Sequence, residues 1–117
     1  MTGPKVLVVD DDSAVRAVAS EMLKRSNYDV SSADCGQAAL DILQSEYFDL
    51  ILLDVGMPGM SGVETYQQIR LSLPQQKILF MTGYAEDDIT DLANPNTYIL
   101  PKPFSLKLFN DTISAII

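Results

Sequence analysis

At 117 residues the chain has the length of one domain, and with 47% hydrophobic residues it can build a real core, which argues against a disordered segment. A net charge of −8, with only eight Lys and Arg scattered along the chain, argues against a nucleic-acid binder, because phosphates are neutralised by clustered basic residues. With no His, the chain lacks Ser-His-Asp and Cys-His catalysis and most zinc chemistry. Its single cysteine, Cys35, cannot form an intramolecular disulfide and reads as a small buried residue rather than a reactive thiol. A reducing cytosol is the simplest compartment. No apolar run approaches the roughly 20 residues of a membrane span, and the Met-Thr-Gly-Pro-Lys start has no signal-peptide pattern. The expectation is a cytoplasmic domain over residues 1–117 that makes no membrane contact.

In chain order, strand-like and helix-like segments alternate five times with short connections, the pattern of a parallel sheet covered by helices on both faces. Lys5–Val9 is a continuous apolar run suited to a strand buried on both faces. A helix from Ser13 to about Arg25 carries Val15, Val18, Ala19 and Met22 as its apolar stripe. Tyr28–Ala33 is a weaker strand, expected near an edge. Asp34 with Gln37 three residues on predicts a capping box for the next helix, which carries Ala38, Ala39, Leu40, Ile42 and Leu43. Leu50–Val55 is the most apolar strand and is expected at the centre.

Ser61-Gly62-Val63-Glu64 predicts a second capping box, opening a helix to about Ser72 that Pro74 stops. Lys77–Met81 is the fourth strand. A short polar helix follows from Glu86 to about Leu92, broken by Asn94-Pro95-Asn96. Tyr98–Leu100 is the fifth strand. Ser105 is expected to cap a last helix in which Leu106, Phe109, Ile113 and Ile116 share a face.

Four of the strands end on polar residues: Asp10-Asp11-Asp12, Asp54, Thr82 and, after Pro101, Lys102. In an open parallel sheet the carboxyl ends of the strands line one crevice where ligands bind. Three adjacent aspartates can be a solvated turn with a helix cap, or they can hold a divalent cation that offsets their repulsion, for which magnesium is suited. Asp54 precedes a loop with three glycines and a proline that allow close backbone approach to a ligand, and Ser61 is the better cap, so a working carboxylate is favoured there. Thr82 either simply finishes a strand or donates its hydroxyl to a phosphoryl oxygen, with Gly83 leaving the pocket open. Lys102 is either a surface lysine or an ammonium aimed by the two flanking prolines at a phosphate or carboxylate.

Together, Val8-Val9-Asp10-Asp11-Asp12, Leu53-Asp54-Val55-Gly56-Met57-Pro58-Gly59-Met60-Ser61-Gly62, Met81-Thr82-Gly83-Tyr84-Ala85 and Pro101-Lys102-Pro103-Phe104 resemble the receiver domain of two-component response regulators, from Val6 to Ile117. The resemblance implies a flavodoxin-like, doubly wound α/β fold with a five-stranded parallel sheet in order 2-1-3-4-5 and five helices. It implies that Asp54 accepts a phosphoryl group from a histidine kinase or histidine phosphotransfer domain. Asp11 would bind Mg2+ directly and Asp10 largely through water, with Asp54 and the Gly56 carbonyl as further ligands. Thr82 would be the switch hydroxyl, and Lys102 the partner of Asp54 and its phosphoryl group. Such a domain assists its own phosphorylation and dephosphorylation, is not otherwise an enzyme, and passes the signal to an output domain or protein.

Many receivers carry an aromatic residue three positions before that lysine. Here Ile99 holds the position, with Tyr98 one earlier on the opposite side of the strand or displaced by a bulge. Ala85-Glu86-Asp87-Asp88-Ile89 and the short Leu92–Tyr98 segment resemble receivers attached to hybrid histidine kinases.

Two other readings compete. A haloacid-dehalogenase-like Mg2+ phosphohydrolase would use the Asp-x-Asp in Asp10-Asp11-Asp12, but only Asp111 follows Lys102 as an acidic candidate, in mid-helix, and Asp54 has no role. A receiver-like interaction module that is never phosphorylated would have no need for Asp10, Asp11, Asp54, Thr82 and Lys102 together.

Overall fold

The apolar runs become the strands of one sheet. The structure is a computed structural model describing residues 3–56, 62–82, 95–101 and 105–117. Strands β1 (Lys5–Val9), β2 (Asp29–Ala33), β3 (Leu50–Asp54), β4 (Ile78–Thr82) and β5 (Thr97–Pro101) are all parallel, in the order β2-β1-β3-β4-β5. This is the flavodoxin-like order, with β3 in the middle and every residue of it buried, and β2 at an edge with only Ala33 buried. Four helices are present among the described residues: α1 (Ser13–Arg25), α2 (Gly36–Leu43), α3 (Gly62–Ser72) and α4 (Leu106–Ile116). The helix expected over Glu86–Leu92 and the Ser61 cap lie outside the described residues.

The two-residue period of the strands divides the core into two layers. Val6, Val8, Leu50, Leu52, Leu79 and Met81 pack against Ala19 and Leu23 of α1 and Phe109, Ile113 and Ile116 of α4. Leu7, Val9, Ile51, Leu53, Ile78 and Phe80 pack on the other side with Ala39 of α2 and Tyr66 and Ile69 of α3. The inner parallel strands, covered by helices on both faces, are apolar at nearly every position, which explains runs without alternation in β1, β3 and β4.

Two apolar stripes are narrower than their periodicity suggests. In α1 the buried residues are Ala19 and Leu23, while Val18 is 58% exposed and lines, with Ala14, Val15, Met22 and Met81, an apolar recess open to the surface. In α4 Phe109, Ile113 and Ile116 are buried, but Leu106 is 57% exposed.

The ends of the helices follow backbone hydrogen-bonding needs. Asp12 caps α1, its Oδ1 accepting from the N–H groups of Ala14 at 2.9 Å and Val15 at 3.3 Å. The helix closes on Asn27 in the left-handed region (φ 69°), with Asn27 N–H donating to Lys24 O at 3.0 Å and Tyr28 N–H to Leu23 O at 3.1 Å. Ser105 caps α4 as expected, its Oγ accepting from Leu108 N–H at 3.0 Å. At α2 the expectation fails by one residue. Cys35, extended and half-buried, is the cap, its Sγ accepting from Ala38 N–H at 3.5 Å, and Gln37 bonds Asp41 one turn on instead of reaching back.

At the opposite end of the sheet from the polar strand ends, Arg70 ties three segments together. Its Nε donates to Tyr66 Oη at 3.0 Å, Nη2 to Asn96 O at 3.1 Å and Thr97 Oγ1 at 3.0 Å, and Nη1 to Gln76 O. Tyr66 Oη is 2.7 Å from Thr97 Oγ1, and the Tyr66 ring meets Phe80 at 5.1 Å.

Candidate functional site

The strand order decides which polar ends meet. Val9 of β1 is level with Leu53 of β3, so Asp10 emerges beside Asp54. The backbone of Asp10 still belongs to the sheet, its N–H donating to Ala33 O at 3.2 Å. Its side chain is buried (1% exposed), and its Oδ1 accepts from Asp12 N–H at 2.9 Å, folding the chain tightly around the acidic run. Asp11 is exposed beside it and Asp54 is buried, at 8% exposure.

One carboxylate oxygen each from Asp10, Asp11 and Asp54 lies within 4.8 Å of the others. The run Asp10-Asp11-Asp12 therefore divides between the two roles open to it: Asp12 is the helix cap, and Asp10 and Asp11 join Asp54. The donor set consists of hard oxygens, which suits a hard divalent ion. An octahedral Mg2+ with bonds near 2 Å spaces its ligands by roughly 3 to 4 Å, so oxygens at these separations reach the ion directly or through one water. The residues fit the ion.

Gly56 follows two residues after Asp54 and is exposed, with its carbonyl on the loop leaving the strand. Thr82 closes β4 with its backbone level with Pro101, while Met81 is level with Asp54. The side chain of Thr82, and Lys102, which is next in the chain to Pro101, lie outside the described residues.

Register settles the positions of Tyr98 and Ile99. Pairing of β4 with β5 runs without interruption from Ile78 and Thr97 to Thr82 and Pro101, so there is no bulge. Ile99 is level with Phe80 and packs in the same layer, with α2 and α3, whereas Tyr98 packs in the layer of α1 and α4.

Sequence reasoning missed two residues of this site. Arg16 Nη1 donates to the backbone carbonyl of Asp10 at 2.7 Å, bracing the acidic turn from the first coils of α1. Its position near a helix start gave no signal beyond a solvated charge. Gly62 lies against the backbone of Asp54 and Val55, with its N–H donating to Val55 O at 3.1 Å. It read only as a spacer inside the Ser61–Glu64 capping pattern.

Residues 6–114 match the family described as response regulator receiver domain. Sporulation initiation phosphotransferase F of Bacillus subtilis (strain 168) is 30% identical over 97% of this chain and 93% of its own length. Other curated relatives are longer, and the chain spans 44% of their length. Chemotaxis protein CheY4 of Vibrio cholerae superposes with a TM-score of 0.89 at 32% identity, covering 97% of this chain and 98% of that one. Response regulator protein TrrA of Thermotoga maritima, in complex with Mg(2+)-BeF, superposes with a TM-score of 0.86 at 29% identity, covering 98% and 100%.

Proposed function

Because the chain belongs to the response regulator receiver domain family, we propose that Asp54 accepts the phosphoryl group, in a single receiver domain spanning residues 1–117 and working in the cytoplasm. The donor is a phosphohistidine on a histidine kinase or histidine phosphotransfer domain. The observation that carries this reading is the meeting of Asp10, Asp11 and Asp54, with carboxylate oxygens within 4.8 Å of one another at the end of the central strand. No helix of the described residues is long and apolar enough to cross a membrane.

A carboxylate oxygen of Asp54 attacks phosphorus in line, the P–N bond to the donor imidazole breaks, and the electron pair leaves on the ring nitrogen. Mg2+ bound by Asp10, Asp11, Asp54 and the Gly56 carbonyl would supply charge neutralisation on the transferring oxygens. Asp54 ends a strand buried along its whole length, so its carboxylate is held in place before the donor arrives. Lys102 pairs with Asp54 and then with the phosphoryl oxygens. Thr82 donates its hydroxyl to one of those oxygens and links phosphorylation to the surface around β4 and β5 by a population shift between two packings. Water later cleaves the acyl phosphate and restores the carboxylate. The output partner reads the shifted surface.

The test is intact mass after incubation with Mg2+ and acetyl phosphate or phosphoramidate, beside Asp54→Asn. The expected result is one added phosphoryl group, absent in the variant and without Mg2+. If no adduct forms while Mg2+ still binds, and fluoroberyllate titration rules out rapid hydrolysis, the acceptor reading is wrong and the interaction-module reading takes its place.

A further inference from the structure

We infer that Gly62 is a positioning residue for Asp54: the missing side chain at the start of α3 lets the acceptor strand end where the acidic cluster needs it. The inference rests on the reading of Asp54 as phosphoacceptor. A Cβ at Gly62 would stand 2.1 Å from the Asp54 carbonyl oxygen, 2.6 Å from Val55 Cα and 2.9 Å from the Asp54 carbonyl carbon. Cβ atoms essentially never approach other atoms closer than 3.0 Å. All three atoms are main chain, so no side-chain rotation relieves the clash.

The requirement is steric and not conformational. Gly62 is helical with φ outside the left-handed region, where alanine would otherwise be the better helix former. Something must therefore move, and the surroundings decide what. Thr65, Tyr66 and Ile69 are buried, which holds α3 on the sheet. On its other side Asp54 is level with Met81 in the β3–β4 ladder, and past the strand end Val55 N–H donates to Met81 O at 3.4 Å, a long bond. The ladder thins at Val55, just past the strand end, so part of the displacement falls on the Asp54–Val55 backbone, and the carboxylate that the strand otherwise holds in place moves with it. Asp10 and Asp11 hang from β1 and do not follow, so the three carboxylates lose their spacing. The Gly56 carbonyl, one residue past Val55, shifts as well.

The experiment compares wild type, Gly62→Ala and Ile69→Ala, the last being a core truncation further along the same helix. All three are kept folded with trimethylamine N-oxide, which strengthens the folded state, and folding is checked by circular dichroism. Mg2+ half-saturation and the rate of labelling by acetyl phosphate are measured. Gly62→Ala is expected to lose about tenfold or more in both, the range for groups that orient a metal's ligands, while Ile69→Ala stays within about twofold. Gly62→Ala within about twofold of wild type would reduce Gly62 to packing and overturn the inference alone. A wild type that takes no adduct sinks the acceptor reading and the inference with it. If Gly62→Ala does not fold, NMR of the wild type decides. The Gly62 amide, bonded to Val55 O, should shift with the same Mg2+ half-saturation as the acidic cluster, and an unmoved amide overturns the inference.

Discussion

Asp10, Asp11 and Asp12 are neighbours in the chain, yet each has a different environment. Asp12 faces the open end of α1 and satisfies its N–H groups, Asp10 is buried under the turn, and Asp11 remains in solvent at the mouth of the site. An ion that binds only the folded state stabilises it by mass action, by about 2.7 kcal/mol at a hundredfold excess over Kd. Adding Mg2+ should therefore raise the melting temperature by several degrees, and chelation should reverse the rise. Asp11→Asn should lose most of that rise while folding normally, since its side chain is exposed. Differential scanning calorimetry checks this, and an undiminished rise in Asp11→Asn would remove Asp11 from the ligand set. The aspartates were legible as candidates because three like charges after an apolar run are unusual. Which one caps and which two face Asp54 was open to local rules, since all three satisfy them, and only the family resemblance singled out Asp10 and Asp11.

At the level of elements, the same polar residue types are worth different amounts according to what they tie together. Arg25 pairs with Glu21 on an exposed helix face at 3.2 Å, a contact worth a few tenths of a kcal/mol at about 0.3–0.5. Arg70 donates to acceptors from α3, the turn before β4, and the start of β5, several of them buried or partly buried. Arg70→Met removes a charged donor shared by those acceptors, while Tyr66 Oη and Thr97 Oγ1 keep each other and Asn96 O keeps the Ile78 N–H, and should cost about 1–2 kcal/mol, against less than about 0.5 kcal/mol for Arg25→Met. Urea unfolding of the two variants measures the difference, and equal losses would show that the Arg70 network adds nothing beyond an exposed pair. The caps teach a related lesson. Ser105 was readable from residue type and position. Cys35 was not, because Asp34 and Gln37 match a capping pattern one residue too early, whereas the helix starts at Gly36, with Gly36 and Ala39 buried.

For the whole molecule, β3 carries both core layers and the Asp54 carboxylate, whereas β2 closes an edge. A domain of this size has a net stability of about 5–15 kcal/mol. Ile51→Ala, in the fully buried central strand, should cost about 2–5 kcal/mol, and Val30→Ala on the half-buried edge strand less than half as much. Urea midpoints check the ratio, and comparable losses at the two positions would contradict the central role of β3. Continuous apolar runs, helical spacing and breakers are near-neighbour physics, so the sequence by itself determined five strands, the alternation with helices, the central and edge positions of β3 and β2, and the polar residues at the strand ends. The exposure of Val18, the cap at Cys35, the face of Ile99, the brace from Arg16 and the steric demand at Gly62 were decided only in the tertiary structure. Each depends on which strand lies beside which: pairing β1 with β3 across some forty residues of chain brings Asp10 and Asp11 to Asp54 and seats α3 on the backbone that carries it.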